Sequence, residues 1–197
     1  MSESLKAIET SLACLSRDIL LQSFRPGVAP EEVRARLQCF GFGSLDDLES
    51  LLEWHDGLDC DGTVAMGDIW MIPGFYLMSL DEAAFEYEQI QGFHDDRWDP
   101  CWWPVFENSG GDFIVVALPP DGDGGVYYFF NEATEWPKIF ESLADMMATV
   151  AAGFDQGIFI VSSDDGAICD RNLEDLLQLG AMMNPSVGCW TDGSAYR

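Results

Sequence analysis

Thirty-five Asp and Glu residues against nine Lys and Arg leave the chain at −26 near neutral pH, a severe restriction on what 197 residues can become. High charge with little apolar material gives disorder, because too little surface can be buried to offset chain entropy. Here 48% of the residues are apolar and 13% aromatic, with seven Trp and thirteen Phe. That is core enough for one domain, so the acid belongs on a folded surface. Such a surface repels phosphate backbones, which argues against direct nucleic-acid binding.

Met1-Ser2-Glu3-Ser4-Leu5-Lys6 lacks the basic start and apolar run of a secretory signal. The longest apolar candidate, Phe113 to Leu118, has the length of a strand, whereas a membrane helix needs ~20 residues. The expectation is a soluble, cytoplasmic protein without membrane association. Cys14, Cys39, Cys60, Cys101, Cys169 and Cys189 never take the two-residue spacing of zinc or redox pairs, and most read as reduced core residues.

Leu5, Ile8, Leu12, Leu15 and Ile19 alternate steps of three and four, which predicts an N-terminal helix from Ser2 to about Phe24. Arg25-Pro26-Gly27 breaks it. Pro30 with Glu31 and Glu32 opens a second helix to about Phe40, and Ser44 with Asp47 resembles a capping box before a third helix to His55. Ile69 to Ile72 is a plausible short strand. Ser79 as N-cap and Glu82 three residues on predict a helix to about Gln91, with Leu80, Ala83, Ala84, Tyr87 and Ile90 available for packing.

Trp103 to Phe106, Phe113 to Leu118 and Val126 to Phe130 are aromatic and β-branched, and turn residues join them. Connections this short predict antiparallel pairing. A helix from Ser142 to about Gly153, an edge hairpin from Phe154 to Cys169 and a short helix from Asn172 to Leu179 complete the pattern. The tail from Gly180 reads as irregular.

The candidate chemistry is sparse. Gly57, Asp59, Asp61, Gly62 and Asp68 approach the spacing of a calcium loop, but a glycine takes the first ligand position and an aspartate the twelfth. His55 suits a helix C-terminus, and His94 lies beside Asp95 and Asp96 in a polar loop. No nucleophile elbow or phosphate-cradling glycine loop is present. No catalytic residue, metal or cofactor is therefore assigned. Trp98 to Pro104 reads either as core and strand entry or as an aromatic anchor among carboxylates.

Several strings, in order, resemble the SMI1/KNR4 family of the SUKH superfamily. They are Phe24-Arg25-Pro26-Gly27-Val28 with Pro30-Glu31-Glu32-Val33, then Glu53-Trp54-His55-Asp56-Gly57, then Ser79-Leu80-Asp81-Glu82-Ala83. Trp103-Pro104-Val105-Phe106, Gly110-Gly111-Asp112, Gly124-Gly125-Val126-Tyr127 and Ser142-Leu143-Ala144-Asp145 follow. The resemblance spans Phe24 to Cys169. It implies an α+β single domain, a largely antiparallel sheet flanked by helices, here with an added N-terminal helix. The expected division is 1–23 for that helix, 24–179 for the family domain and 180–197 for the tail.

The resemblance also implies a binding role, either an immunity protein neutralising a toxin or a regulator of the kind that governs fungal cell-wall synthesis. It assigns no catalytic residues. Joined to the charge, it points to a basic protein partner, conceivably a nuclease toxin, with an uncharacterised enzyme as a further alternative. Asp56, Asp59, Asp61, Asp95 and Asp96 are the expected contacting acids and Trp102 the expected anchor. Gly57 and Asp112 match motif positions and read first as turn determinants.

Overall fold

The structure, a computed structural model, describes residues 1–60, 63–93 and 97–194. Its first segment is helical but divided. α1 (Ser2–Cys14) buries Leu5, Ile8 and Leu12; Ser16 then turns to a φ of +57°, and α2 (Asp18–Ser23) follows. The break accompanies the burial of Arg17, which donates from Nη2 to the Gly67 carbonyl at 2.5 Å and from Nη1 to that of Gly166. Ile19, which the periodicity assigns to the apolar face, is left exposed.

β1 (Phe24–Pro26) pairs antiparallel with β2 (His55–Leu58), and between them lie α3 (Pro30–Cys39) and α4 (Asp46–Trp54). α3 opens on Pro30 with Glu31 and Glu32 in its first turn. The capping box expected at Ser44 does not form. Leu45 is the N-cap, and the Asp47 carboxylate instead accepts from the Ala144 N–H at 3.0 Å, in the first turn of α7 (Leu143–Asp155).

The expected strand at Ile69 is the end of a short helix, α5 (Met66–Ile69). A tight turn bridges Ile72 and Phe75 around Pro73-Gly74, and β3 (Tyr76–Leu77) follows. After α6 (Leu80–Phe93) come β4 (Trp102–Glu107), β5 (Phe113–Ala117), β6 (Val126–Phe129) and β7 (Lys138–Phe140). These form one antiparallel sheet in the order β3-β4-β5-β6-β7. The chain is thus α+β, as expected, with the added helix at its start.

The two sheet faces are filled differently. On one, Trp103 is wholly buried against the ring edges of Phe40 and Phe42 and beside Tyr87 of α6. On the other, Trp102, Phe113 and Phe129 meet Trp98 and Trp136, which reach in from loops. Alternation along β4 sends its adjacent tryptophans to opposite faces.

Beyond α7, β8 (Phe159–Val161) and β9 (Ile168–Asp170) make a separate hairpin. The tail is more ordered than its composition suggests, because α8 (Leu173–Met183) runs past Gly180 and α9 (Cys189–Asp192) follows. Trp190 is buried over Gly180, where a Cβ would fall 2.2 Å from the indole, and its Nε1 donates to the Ile139 carbonyl at 2.6 Å. The tail therefore covers the last sheet strand. Trp190→Ala should cost about 3–5 kcal/mol, read from the urea midpoint followed by circular dichroism. A loss below about 1 kcal/mol would mean that the tail is dispensable to the core.

Candidate partner-binding surface

Helix α6 is built by an interlocked start. The Ser79 backbone N–H and hydroxyl both donate to Glu82 Oε2 at 2.8 Å, while the Glu82 N–H donates back to Ser79 Oγ at 3.2 Å. This is the expected capping box, and it satisfies N–H groups that the helix itself cannot. A second carboxylate joins from β2: Asp56 Oδ1 accepts from the Leu80 N–H at 2.7 Å. Gly57 lies beside it at a φ of +69°, and a Cβ there would fall 2.3 Å from the Ser79 nitrogen. Only glycine lets β2 approach the helix start so closely.

Once anchored, α6 turns Leu80, Ala83, Ala84 and Tyr87 inward. Its outer face carries Asp81, Glu82, Phe85, Glu88, Gln89 and Phe93, all exposed, at helical spacing. Phe85 is 56% exposed and Phe93 81%. An isolated exposed apolar side chain is ordinary, but two phenylalanines on one carboxylate-lined helix face form a pattern typical of interface anchors.

The acid extends to the neighbouring sheet edge. Tyr76 pairs across the ladder with Glu107, and its hydroxyl donates to Glu107 Oε2 at 2.8 Å. Partial burial raises the Glu107 pKa, the Tyr76 hydrogen bond opposes it, and repulsion from Glu86 and Glu82 raises it further. Burial and the Glu82 charge likewise raise that of Glu86. Among the described residues no ion pair reaches Glu82, Glu86, Glu88 or Glu107.

The cations that might have neutralised this patch are engaged elsewhere. Arg17, Arg25, Arg34, Arg36, Arg97, Lys138 and Arg171, seven of the nine, are each held by a carboxylate or a carbonyl. Arg36 does reach α6, but it pairs with Asp81 at the first turn. The outer helix face beyond that turn is an uncompensated negative surface.

The residues expected from the sequence fall in different places. Asp56 is 6% exposed; with Arg25 at 3.7 Å and the Leu80 N–H bound, its carboxylate serves the fold. Trp102 is 7% exposed, its ring set against Trp98, Tyr127 and Trp136, so the core reading of this segment holds and no anchor projects there. Asp59 is exposed just after β2. Asp61, Asp95, Asp96 and His94 lie outside the described residues. His55 does not cap α4 with its ring; Nδ1 lies 3.0 Å from the Arg25 carbonyl, and the ring stacks on Phe24. Asp112 accepts from the Asn131 N–H at 2.9 Å and from Asn108 Nδ2 at 2.6 Å, which fixes its turn. The α6 face itself escaped the sequence reading. Its signal was the pair Phe85 and Phe93, apolar residues absent from the packing set of that helix.

The chain is thus an α+β domain, an antiparallel sheet backed by helices, with exposed aromatics on an acidic outer helix. The family model described as SMI1 / KNR4 family (SUKH-1) matches residues 27–149, and the chain belongs to that family. The family is generally one of non-enzymatic binding domains that act in immunity or regulation. No curated protein matches the chain.

The raised carboxyls have a stability consequence of defined sign. A folded-state pKa above the unfolded value means that ionised Glu86 opposes folding at neutral pH, a penalty relieved as pH falls through that raised value. Glu86→Gln should therefore raise the Tm by about 1–3 °C at pH 7. The gain should vanish near pH ~4, where the wild-type carboxyl is protonated. An equal gain at both pH values would remove charge as its cause.

Proposed function

We propose that this chain is an acidic immunity protein that neutralises a basic toxin domain, of the nuclease class, by docking it on the outer face of α6. The observation that carries the reading is the exposure of Phe85 and Phe93 among carboxylates that, Asp81 apart, meet no ion pair among the described residues. The phenylalanines supply apolar anchors, and Glu82, Glu86, Glu88 and Glu107 supply the field that draws Lys and Arg side chains to them. Asp59 lends charge to the approach, and Asp61, Asp95 and Asp96 are assigned the same role from the sequence. A nuclease fits because its substrate cleft is basic, and an acidic partner competes with nucleic acid for it.

The module works by occupation and not by chemistry. Glu82, Glu86 and Glu107 line none of the three principal cavities among the described residues, so the patch meets partners on an open surface. We assign the protein to the cytoplasm, a reducing compartment consistent with its six free cysteines.

Capture from the native host, followed by mass spectrometry and by an assay of the captured protein's toxicity with and without this chain, tests the proposal. The expected partner is basic and is inhibited on binding. Glu82→Lys combined with Glu86→Lys should slow association by about tenfold at low salt, and Asp59→Asn by about twofold. Both differences should shrink as added salt shortens the Debye length to ~3 Å near 1 M. Binding should also weaken as pH falls toward the carboxylate range, because Glu86 and Glu107 protonate first. A neutral or acidic partner bound equally well by the double variant would exclude this surface, and a captured cellular regulator would favour the scaffold role instead.

A further inference from the structure

The helices do not cover the sheet evenly. α6 packs on β4, whereas α7 packs on β7 and β8. Over the middle strands between them lies a cavity of about 360 Å³. Its floor includes Ile114 and Ile139, its roof Met146, Val150 and Leu176, and Trp190 closes the back. Each of these six residues is at most 6% exposed. Native interiors are close-packed, so an apolar-walled hollow of this size, open at one side, is uncommon. A space of this size lies within the range of small-molecule sites.

The rim decides what fits. Thr149 has no proton left to offer: its hydroxyl donates to the Asp145 carbonyl at 2.8 Å and accepts from Asn184 Nδ2 at 3.0 Å. Asn108 is engaged in its own turn with Gly110 and Asp112. Two rim groups differ. The Tyr128 hydroxyl, on the residue paired across the ladder with Ile114, and the Asp170 carboxylate, at the end of β9, have no hydrogen-bond or ion-pair partner among the described residues. Both are partly exposed, beside the Ile72–Phe75 turn whose Phe75 ring meets Tyr128 edge-on at 5.7 Å. The cavity therefore offers apolar walls, one acceptor charge and one hydroxyl, inside a protein of charge −26.

We propose that this cavity is a binding site for a small organic amine, with its apolar body between the sheet and α7 and its ammonium group at the rim against Asp170 and the Tyr128 hydroxyl. An anion of the same shape would meet both the Asp170 charge and the overall negative field. A neutral alcohol would gain the walls and lose the ion pair. Phe85 and Phe93 do not line the cavity, so the aromatic face of α6 and this site can be tested separately.

Octylamine, 1-octanol and octanoate share a chain and differ in end group, and they serve as probes for the whole protein with ¹³C-labelled methyl groups. The expected result is saturable one-site binding, with methyl shifts at Ile114, Ile139, Met146 and Val150, and the amine about tenfold tighter than the alcohol. Octanoate should bind weakest. Asp170→Asn should bring amine and alcohol to within about twofold of each other, because it removes one charge from a partly exposed rim. Phe85→Ser with Phe93→Ser should leave all three affinities unchanged, which separates the cavity from the aromatic surface. Val150→Phe should abolish binding by filling the space; the Asp170 result stands on its own if that variant does not fold. No methyl shift with any probe at millimolar concentration, octanoate bound as tightly as octylamine, or an unaltered amine preference in Asp170→Asn would each overturn the proposal.

Discussion

Scarcity of positive charge is the constraint to which the rest of the structure responds. Nine basic side chains serve 35 carboxylates, and several of the cations are placed where they join distant elements. Arg17 ties the α1–α2 break to the turns at Gly67 and Gly166. Arg34 on α3 grips the buried Glu49 of α4 through two hydrogen bonds of 2.8 and 2.6 Å. Where cations run out, helix N-termini take their place. Asp56 closes on the start of α6 and Asp47 on that of α7, each pairing a carboxylate with free N–H groups and the positive end of a dipole. Two acids, one of them also paired with Arg25, thereby become links between elements far apart in sequence.

That solution has a consequence for the surface. A cation used inside the fold is withdrawn from the exterior, so the outer carboxylates of α6 are left to repel one another. The raised pKa values of Glu86 and Glu107, with partial burial as the leading cause, record the strain. A binding surface of this kind is costly to the free protein and is relieved by a partner that brings the missing charge. In the proposed complex Phe85 and Phe93 would add what charge does not, an apolar contact that slows dissociation.

Legibility from the sequence followed the range of the interaction. The capping box at Ser79 was readable because its two members are three residues apart and bond to each other. The aromatic strands were readable because β4, β5 and β6 are rich in residues that suit a sheet. Longer-range effects were not. Asp47 resembled a local cap until Ala144, 97 residues on, took its carboxylate, and Asp56 looked like a free acid until Leu80 claimed it. The break at Ser16 carries no glycine or proline; it accompanies contacts of Arg17 with turns 50 and 149 residues away. β3 and β7 are two and three residues long, too short to set a period. The run at Ile69 was apolar and short, the case in which strand and helix cannot be told apart.

The same logic explains why acids chosen by loop position and acids on a helix face fared differently. A loop aspartate is the side chain best able to bond a neighbouring backbone N–H, so a fold short of cations recruits it first. Asp112, in the turn before β5, and Asp56, within β2, were both taken by backbone N–H groups, though of segments distant in sequence. A glutamate in the middle of α6 faces backbone N–H groups already bonded within the helix, and no Lys or Arg lies three or four residues from Glu86 or Glu88. Among the described residues neither side chain gains an ion pair. In a chain this acidic, carboxylates that local structure does not consume collect on helix surfaces in preference to turns.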